Sequence, residues 1–232
     1  MIEAVLFDWG GTLSPLHQID LLLAWEAAAE VLAPARAAEM ADALLAAEQA
    51  GWQETTGSMA SFTSERVVEL ACHSLGVDVT SAEREKALSA YHDRWRPYLP
   101  ARPDAATTLR ALRDSGRRTG LLSNTHWPRR VHEDALARDG LLDLLDGCVF
   151  TSEHGRMKPH PDAFRSVLEA AGAEASSAVF VGDRLHDDIW GAKQAGMRAV
   201  WIRNELMPRY DVEPDAVIDT LSELPAVIER LG

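Results

Sequence analysis

Three polar residues of this sequence stand at the ends of short apolar segments, and a fourth lies in a loop after another such segment. Asp8, Ser123 and Asp183 are the first three, and Lys158 is the fourth. A carboxylate can attack an electrophile or bind a metal ion, and a lysine can neutralise an anion. Each residue alone is equally well explained as a turn, cap or surface residue, so only a shared location would indicate a reaction centre.

The apolar segments have the length and composition of β-strands. Their apolar residues are continuous, which is typical of strands covered on both faces. Segments with helical spacing lie between the later ones, and residues 104–116 and 162–172 both end in glycine. This alternation predicts an α/β fold with a Rossmann-like parallel sheet wound on both faces. The predicted strands are residues 4–7, 119–122, 148–151, 178–181, 199–202 and 216–218.

Residues 16–98 break the alternation of strand and helix. This segment is rich in Ala, Leu and Glu and contains no convincing strand. We predict that it forms an all-helical domain inserted after the first strand, while residues 1–15 and 99–232 form the core. The proline-rich exit from the insert is predicted to be a hinge or linker. Breaks between four helices are expected at Pro34, Gly57 and Gly76.

Ligands of open parallel sheets bind beyond the carboxyl ends of the strands. Asp8, Ser123 and Asp183 should therefore meet at one edge of the sheet, and Lys158 can reach that edge from its loop. The order of these residues also matches a family pattern, whose motifs are Asp8 to Leu13, Ser123, Lys158-Pro159-His160-Pro161, and Gly182-Asp183 followed by Asp188 and Gly191-Ala192-Lys193-Gln194-Ala195-Gly196.

By these motifs the chain resembles the haloacid dehalogenase-like hydrolases that carry a helical cap, over nearly its whole length. The resemblance implies that Asp8 attacks a phosphoryl group and forms an aspartyl-phosphate. It also implies a bound Mg²⁺, held by Asp8, the backbone carbonyl of Gly10 and Asp183. Asp188 is expected in the outer shell of the metal or as the partner of Lys158.

The resemblance further implies a set of hydrogen-bond donors for the phosphate of a small anionic substrate. The expected phosphate-binding residues are Ser123, Asn124, Lys158 and the backbone around Gly10 and Gly11. The expected catalytic residues are Asp8, Ser123, Lys158 and Asp188, with Asp187 as the alternative to Asp188.

The sequence departs from the family pattern at Gly10. Most phosphatases of the family have there a second Asp, a general acid whose help is worth roughly 10² to 10⁴ in rate. The substrate could have a good leaving group, such as that of an acyl phosphate, or the enzyme could break a bond other than that of a phosphomonoester. His17, His126 or His186 could carry the proton instead. Alternatively, catalysis is largely lost and the protein only binds.

Two related subfamilies also lack that Asp. Phosphonoacetaldehyde hydrolases need a lysine early in the cap, whereas Lys86 comes late in this insert. Haloacid dehalogenases use a cap arginine and no metal, and Arg36 would be that arginine. The retained Asp183 favours metal-dependent phosphoryl hydrolysis over dehalogenation or another carbon-centred hydrolysis.

The composition narrows the remaining possibilities. A net charge of -13 without a basic stripe argues against nucleic-acid binding. Because this charge repels anions, a site for an anionic substrate must supply its own cations. With no signal sequence or membrane span recognised, we expect a cytoplasmic monomer or homodimer. Cys72 and Cys148 are expected to be buried free thiols. Surface or capping positions are expected for His73, His92 and His132, and a loop position for His160.

Overall fold

Six parallel strands form one sheet in the order β3-β2-β1-β4-β5-β6. The computed structural model describes residues 1–17 and 19–232. The strands are β1 (Ala4–Phe7), β2 (Arg118–Ser123), β3 (Gly147–Phe150), β4 (Ala178–Gly182), β5 (Arg198–Ile202) and β6 (Ala216–Ile218). The predicted α/β fold is confirmed. Four predicted strands were wrong by one residue at one or both ends. β2 pairs over Arg118 to Ser123, Thr151 already belongs to a helical turn, β4 also includes Gly182, and β5 also includes Arg198.

Helices cover both faces of the sheet because alternate residues of each strand point to opposite faces. Val5 and Phe7 of β1 belong to one apolar cluster and Ala4 and Leu6 to the other. The first face packs on α5 (Ala105–Asp114), α6 (Arg129–Arg138) and α9 (Leu224–Leu231), and the second on α7 (Pro161–Ala171) and α8 (Gly191–Gln194).

Within the described residues four α-helices lie between β1 and α5, as the sequence predicts, although the second runs through the break expected at Gly57 and ends at Ser58. They are α1 (Leu21–Leu32), α2 (Ala37–Ser58), α3 (Ser64–Leu75) and α4 (Ser81–Trp95). Polar caps fix the starts of α1, α3 and α4, since the side chains of Asp20, Thr63 and Thr80 each accept a backbone N–H of the first turn. Gly76 ends α3 in the left-handed conformation that glycine adopts at low cost.

Aromatic stacking joins the first and last of these helices. The rings of Trp25 in α1 and Tyr91 in α4 stack with centroids 3.8 Å apart, and both side chains are buried. The apolar cluster around them continues to the sheet through Leu13 and Trp127. Within the described residues, no helix has the length and apolarity that a membrane span requires.

The surroundings of two histidines and one cysteine differ from the sequence-based expectation. His92 and His132 are 7% and 4% exposed and not on the surface, because their helices pack against the aromatic residues around Trp127. Cys72 is a buried free thiol as predicted, but Cys148 is only partly buried. His160 lies in the loop before α7, where its ring also accepts the N–H of Asp162 as an N-cap.

Candidate active site

Lys158 lies between two buried carboxylates at the carboxyl edge of the sheet. Its Nζ atom is 2.6 Å from Oδ1 of Asp8 and 2.7 Å from Oδ1 of Asp188. All three side chains are at most one-tenth exposed. The structure therefore brings together three of the four residues predicted to be catalytic, and it gives Asp188 the lysine partner that the sequence left as one of two options.

The order of the strands explains why these residues meet. β1 lies between β2 and β4, so the chain connections run in opposite directions from this point and leave a crevice at the strand ends. Asp8 follows β1 directly, Ser123 is the last residue of β2, and Asp183 follows β4. The N–H of Asp8 donates to the carbonyl of Val181, which ties the two loops together.

Asp188 reaches the cluster from a π-helical turn that follows β4. Its Oδ2 atom accepts the N–H of Arg184 at 2.9 Å, so the turn itself orients the carboxylate. Gly182 allows this approach, because a β-carbon at residue 182 would lie 2.3 Å from the β-carbon of Asp188. Asp187 points elsewhere and pairs with His186 and Arg184.

The two carboxylate oxygens of Asp183 have different surroundings. The side-chain amide of Asn204 donates to Oδ2 at 2.6 Å, and the indole N–H of Trp201 donates to the backbone carbonyl of Asp183. Oδ1 is buried and has no hydrogen-bond partner within residues 1–17 and 19–232. A buried carboxylate oxygen without a partner is costly, which makes it a candidate ligand atom.

The electrostatics of the cluster support the binding of a further cation. Burial raises the pKa of Asp183, and the nearby carboxylates of Asp8 and Asp188 raise it further. Burial also raises the pKa of Asp188, although Lys158 partly opposes this. Burial alone would lower the pKa of Lys158, but Asp188 and Asp8 outweigh it and raise the pKa. The pKa of Asp183 stays raised although Arg184 opposes the shift, so Lys158 and Arg184 together leave part of the negative charge of the cluster uncompensated.

These carboxylates fit a divalent metal ion. Oxygen atoms of Asp8, Asp183 and Asp188 all lie within 4.8 Å of one another. Hard oxygen ligands of this kind suit Mg²⁺ or Ca²⁺. The open Oδ1 atom of Asp183 is the observation of this structure that supports such a site, since a cation would satisfy it.

A family model described as haloacid dehalogenase-like hydrolase matches residues 2–196. The chain belongs to this family. Over its whole length it is 32% identical to a protein named glyceraldehyde 3-phosphate phosphatase from Methanopyrus kandleri, of which the match covers 99%. A protein of the same name from Pyrococcus furiosus is 35% identical over 145 residues, which are 61% of this chain but only 60% of that protein.

A solved structure also has the same overall fold. It is titled 2-haloacid dehalogenase from Pseudomonas syringae pv. Tomato DC3000, and it aligns over all of both chains with a TM-score of 0.71 and 27% identity. The family therefore includes similar proteins named for two reactions, so the residues of this site must decide between them.

Two of the predicted phosphate-binding residues of this haloacid dehalogenase-like hydrolase are engaged by the protein. The side-chain amide of Asn124 donates to the backbone carbonyl of Lys158 at 2.9 Å and accepts the backbone N–H of Lys158 at 2.8 Å. The backbone N–H of Gly11 donates to the carbonyl of Ser14 at 2.7 Å. Asn124 thus positions the lysine, and Gly11 shapes the loop after Asp8. A direct contact of either residue with phosphate stays a prediction.

A cavity of about 710 Å³ opens above the cluster. Asp8, Gly10, Ser123 and Lys158 lie on its floor, and side chains of α2, α4 and the loop after β2 line the rest. Arg184 also lines the cavity with a half-exposed side chain, so it supplies a second cation that the sequence-based prediction missed. Arg184 directly follows Asp183 in the sequence, and this position could have indicated that it lies at the site.

The three histidines proposed as proton carriers all line the cavity, but they are not equally free. Both ring nitrogens of His126 are engaged, with Nε2 3.1 Å from Glu48 and Nδ1 3.0 Å from Ser64. The ring of His17 contacts Tyr98 edge-on, and His186 is 43% exposed. His126 is therefore a poor proton carrier, whereas His17 and His186 remain candidates.

Neither insert residue required by the alternative reactions lies at the site. Arg36 binds Glu39 and the carbonyl of Leu75 on the outside of the insert. Lys86 is exposed on α4. The dehalogenase role considered for Arg36 is therefore wrong, because its guanidinium is committed to a surface ion pair away from Asp8.

Proposed function

We propose that this haloacid dehalogenase-like hydrolase is a metal-dependent phosphatase that acts on a small phosphorylated metabolite. The observation that carries the proposal is Lys158 bridging Asp8 and Asp188 beside the open oxygen of Asp183. The whole-length relative named glyceraldehyde 3-phosphate phosphatase supports the same reaction type. A carbon-centred dehalogenation would not require a cation site, which the open oxygen of Asp183 beside Asp8 and Asp188 supports.

Asp8 is proposed as the nucleophile that takes the phosphoryl group. Lys158 removes like-charge repulsion between that carboxylate and the incoming phosphate, and it holds Asp8 in one orientation. Ser123, buried at the end of β2 and lining the cavity, is placed to donate to a phosphate oxygen. Arg184 attracts the anionic substrate to the cavity mouth.

Asp8, Asp183 and the backbone carbonyl of Gly10 are proposed to hold Mg²⁺, with Asp188 in its outer shell. Bound there, the ion would supply charge neutralisation for the phosphate oxygens. Asp188 fixes Lys158 and completes the negative pocket that attracts the cation. Its hydrogen bond from the N–H of Arg184 keeps it in place.

We also propose that residues 16–98 form a cap of the helical type over the core of residues 1–15 and 99–232. Two contacts support hinges at these boundaries. The hydroxyl of Ser14 donates to the carbonyl of Pro100 at 3.0 Å, and the N–H of Arg102 donates to the carbonyl of Leu13 at 2.8 Å. The two connections therefore run side by side, as a pair of hinge strands would.

Turnover of acetyl phosphate and 4-nitrophenyl phosphate tests the proposal, with Mg²⁺ or with EDTA, for wild type and Asp8→Asn. We expect metal-dependent hydrolysis by wild type and a loss of at least about 10³-fold in Asp8→Asn. Asp143→Asn, an exposed carboxylate distant from the motifs, is the matched control. Turnover that persists in Asp8→Asn would contradict the nucleophile. Hydrolysis of 2-chloropropionate instead of the phosphates would support the dehalogenase alternative, and no turnover of any would support a binding role.

A further inference from the structure

The cavity above Asp8 is much larger and more aromatic than a small polar metabolite requires. Its volume of about 710 Å³ is in the range of pockets that hold drug-sized ligands, roughly 300 to 1,000 Å³. Trp9 and Trp127 line it from the core, and Trp52, Trp95 and Tyr98 line it from the insert and its exit. Several aromatic rings along the cavity favour an occupant that itself carries an aromatic ring.

The rings that line the cavity from the insert and its exit keep accessible surface, whereas Trp9 and Trp127 are buried. Trp52 and Trp95 are only partly buried, and Tyr98 is 42% exposed. Trp95 meets Trp127 edge-on with ring centroids 4.9 Å apart, which fixes both rings. A rigid aromatic surface binds another ring at little entropic cost, because few side-chain rotations are lost.

The polar side chains of α2 in this part of the cavity are already paired with the protein, whereas the indole N–H groups of Trp95 and Trp127 have no partner within the described residues. The Glu48 carboxylate accepts the indole N–H groups of Trp25 and Trp52 and lies 3.1 Å from Nε2 of His126. The hydroxyls of Thr55 and Thr56 both donate to the carbonyl of Trp52. A sugar or triose would need to compete for these groups, whereas an aromatic ring would leave them undisturbed.

Gly10 points to the same kind of substrate. A β-carbon at residue 10 would have no heavy atom of the described residues within 4 Å, apart from its chain neighbours, and Gly10 does not have a positive φ. The fold therefore does not require glycine there, because a side chain has room to begin. The missing acid is tolerable if the leaving group needs no proton. A phenol loses its proton near pH 10, about six pH units below water.

We infer that the substrate is a phosphate ester or anhydride whose leaving group is aromatic, with aryl phosphates as the main class. The inference rests on the proposed phosphatase function. A carboxylate oxygen of Asp8 forms a bond to phosphorus while the bond from phosphorus to the aryl oxygen breaks. The bonding electrons leave on that oxygen, which takes a proton from water. Water then hydrolyses the aspartyl-phosphate to inorganic phosphate and restores Asp8.

The pair benzoyl phosphate and acetyl phosphate separates ring binding from leaving-group chemistry, because both release a carboxylate. We expect kcat/KM to be at least about tenfold higher for benzoyl phosphate. Phenyl and 2-naphthyl phosphate should exceed glyceraldehyde 3-phosphate and phosphoserine by about 10²-fold or more. Gly10→Asp should raise the turnover of glyceraldehyde 3-phosphate and phosphoserine but should not raise the turnover of benzoyl phosphate.

Variants of the cavity wall identify the origin of the preference. Trp95→Leu and Trp52→Leu should each lower the ratio of benzoyl to acetyl phosphate kcat/KM several-fold, whereas Leu70→Ala, exposed on α3 and outside the cavity, should keep it. Equal use of acetyl and benzoyl phosphate, or a ratio unaffected by the cavity variants, would overturn the inference while the phosphatase function stands. No hydrolysis of either acyl phosphate would overturn the proposed function and the inference with it.

Discussion

Gly11 lies directly against the carboxylate of Asp183. A β-carbon at residue 11 would be 2.1 Å from Oδ2 of Asp183, and the φ angle of Gly11 is +91°. Both features require glycine, because a side chain would displace the carboxylate and strain the backbone. Gly10, one residue earlier, has neither constraint.

Gly11→Ala is therefore expected to lower Mg²⁺ affinity and kcat/KM, each by at least about tenfold, through displacement of Asp183. Isothermal titration with Mg²⁺ and acetyl phosphate kinetics measure the two effects. Gly10→Ala is the matched comparison and should lose far less, because its added carbon meets open space. Equal losses in both variants would show that the contact with Asp183 is not the cause.

Lys158→Met should abolish most activity and destabilise the protein. Removing one partner of a buried ion pair leaves uncompensated charge, which costs about 3 to 5 kcal/mol. Urea unfolding in EDTA measures the stability, with Lys86→Met as the exposed control. Combining Lys158→Met with Asp188→Asn should recover part of the stability but none of the activity. A double variant no more stable than Lys158→Met would contradict the pairing as the main cause.

Glu48→Leu should destabilise the contact between the insert and the core. The change leaves the indole N–H groups of Trp25 and Trp52 and the ring of His126 without their acceptor. Each unsatisfied buried donor costs about 1 to 3 kcal/mol, so we expect a loss of at least about 2 kcal/mol. Urea unfolding checks this, with Glu39→Leu, exposed on the same helix, expected to change stability little.

The buried histidines predict a loss of stability in acid. Burial lowers the pKa of both His92 and His132 to about 3, and for His92 the nearby Arg130 adds to the effect. Both are neutral in the folded protein, whereas the unfolded chain takes up a proton below about pH 6.5. Unfolded protein thus binds more protons between about pH 3 and 6.5, so stability falls as the pH is lowered through that window.

His132→Gln removes one of these groups and should weaken the pH dependence. Between pH 6.5 and 5, the free energy of unfolding of the variant should fall less steeply than that of wild type, by about 1 kcal/mol per pH unit. Denaturation curves at several pH values give the slopes. The exposed His73→Gln variant should match the wild-type slope. An unchanged slope in His132→Gln would show that this histidine is protonated in the folded state.

Features that depend on local patterns could be predicted from the amino-acid order alone. Continuous apolar segments gave the strands, and helical spacing with Pro34 and Gly76 gave the divisions of the insert. These signals are reliable because strand and helix repeats are set within a few residues. The motif residues Asp8, Lys158 and Asp183 were also found this way, since each follows a predicted strand.

The tertiary structure alone decided which of those residues touch, and what surrounds them. Asp8 and Lys158 are 150 positions apart in the chain, and Glu48 and His126 are 78 apart. The role of Glu48 had no local signal, because an acidic residue in a helical segment is usually exposed.

The position of Asn204, which donates to Asp183, also depends on tertiary packing. Asn204 follows β5, but only the packing of the sheet brings its side chain towards Asp183. The choice of Asp188 over Asp187, and the burial of His92 and His132, likewise depend on which face of a turn or helix meets the core. Long-range packing sets that face, and no short stretch of sequence contains it.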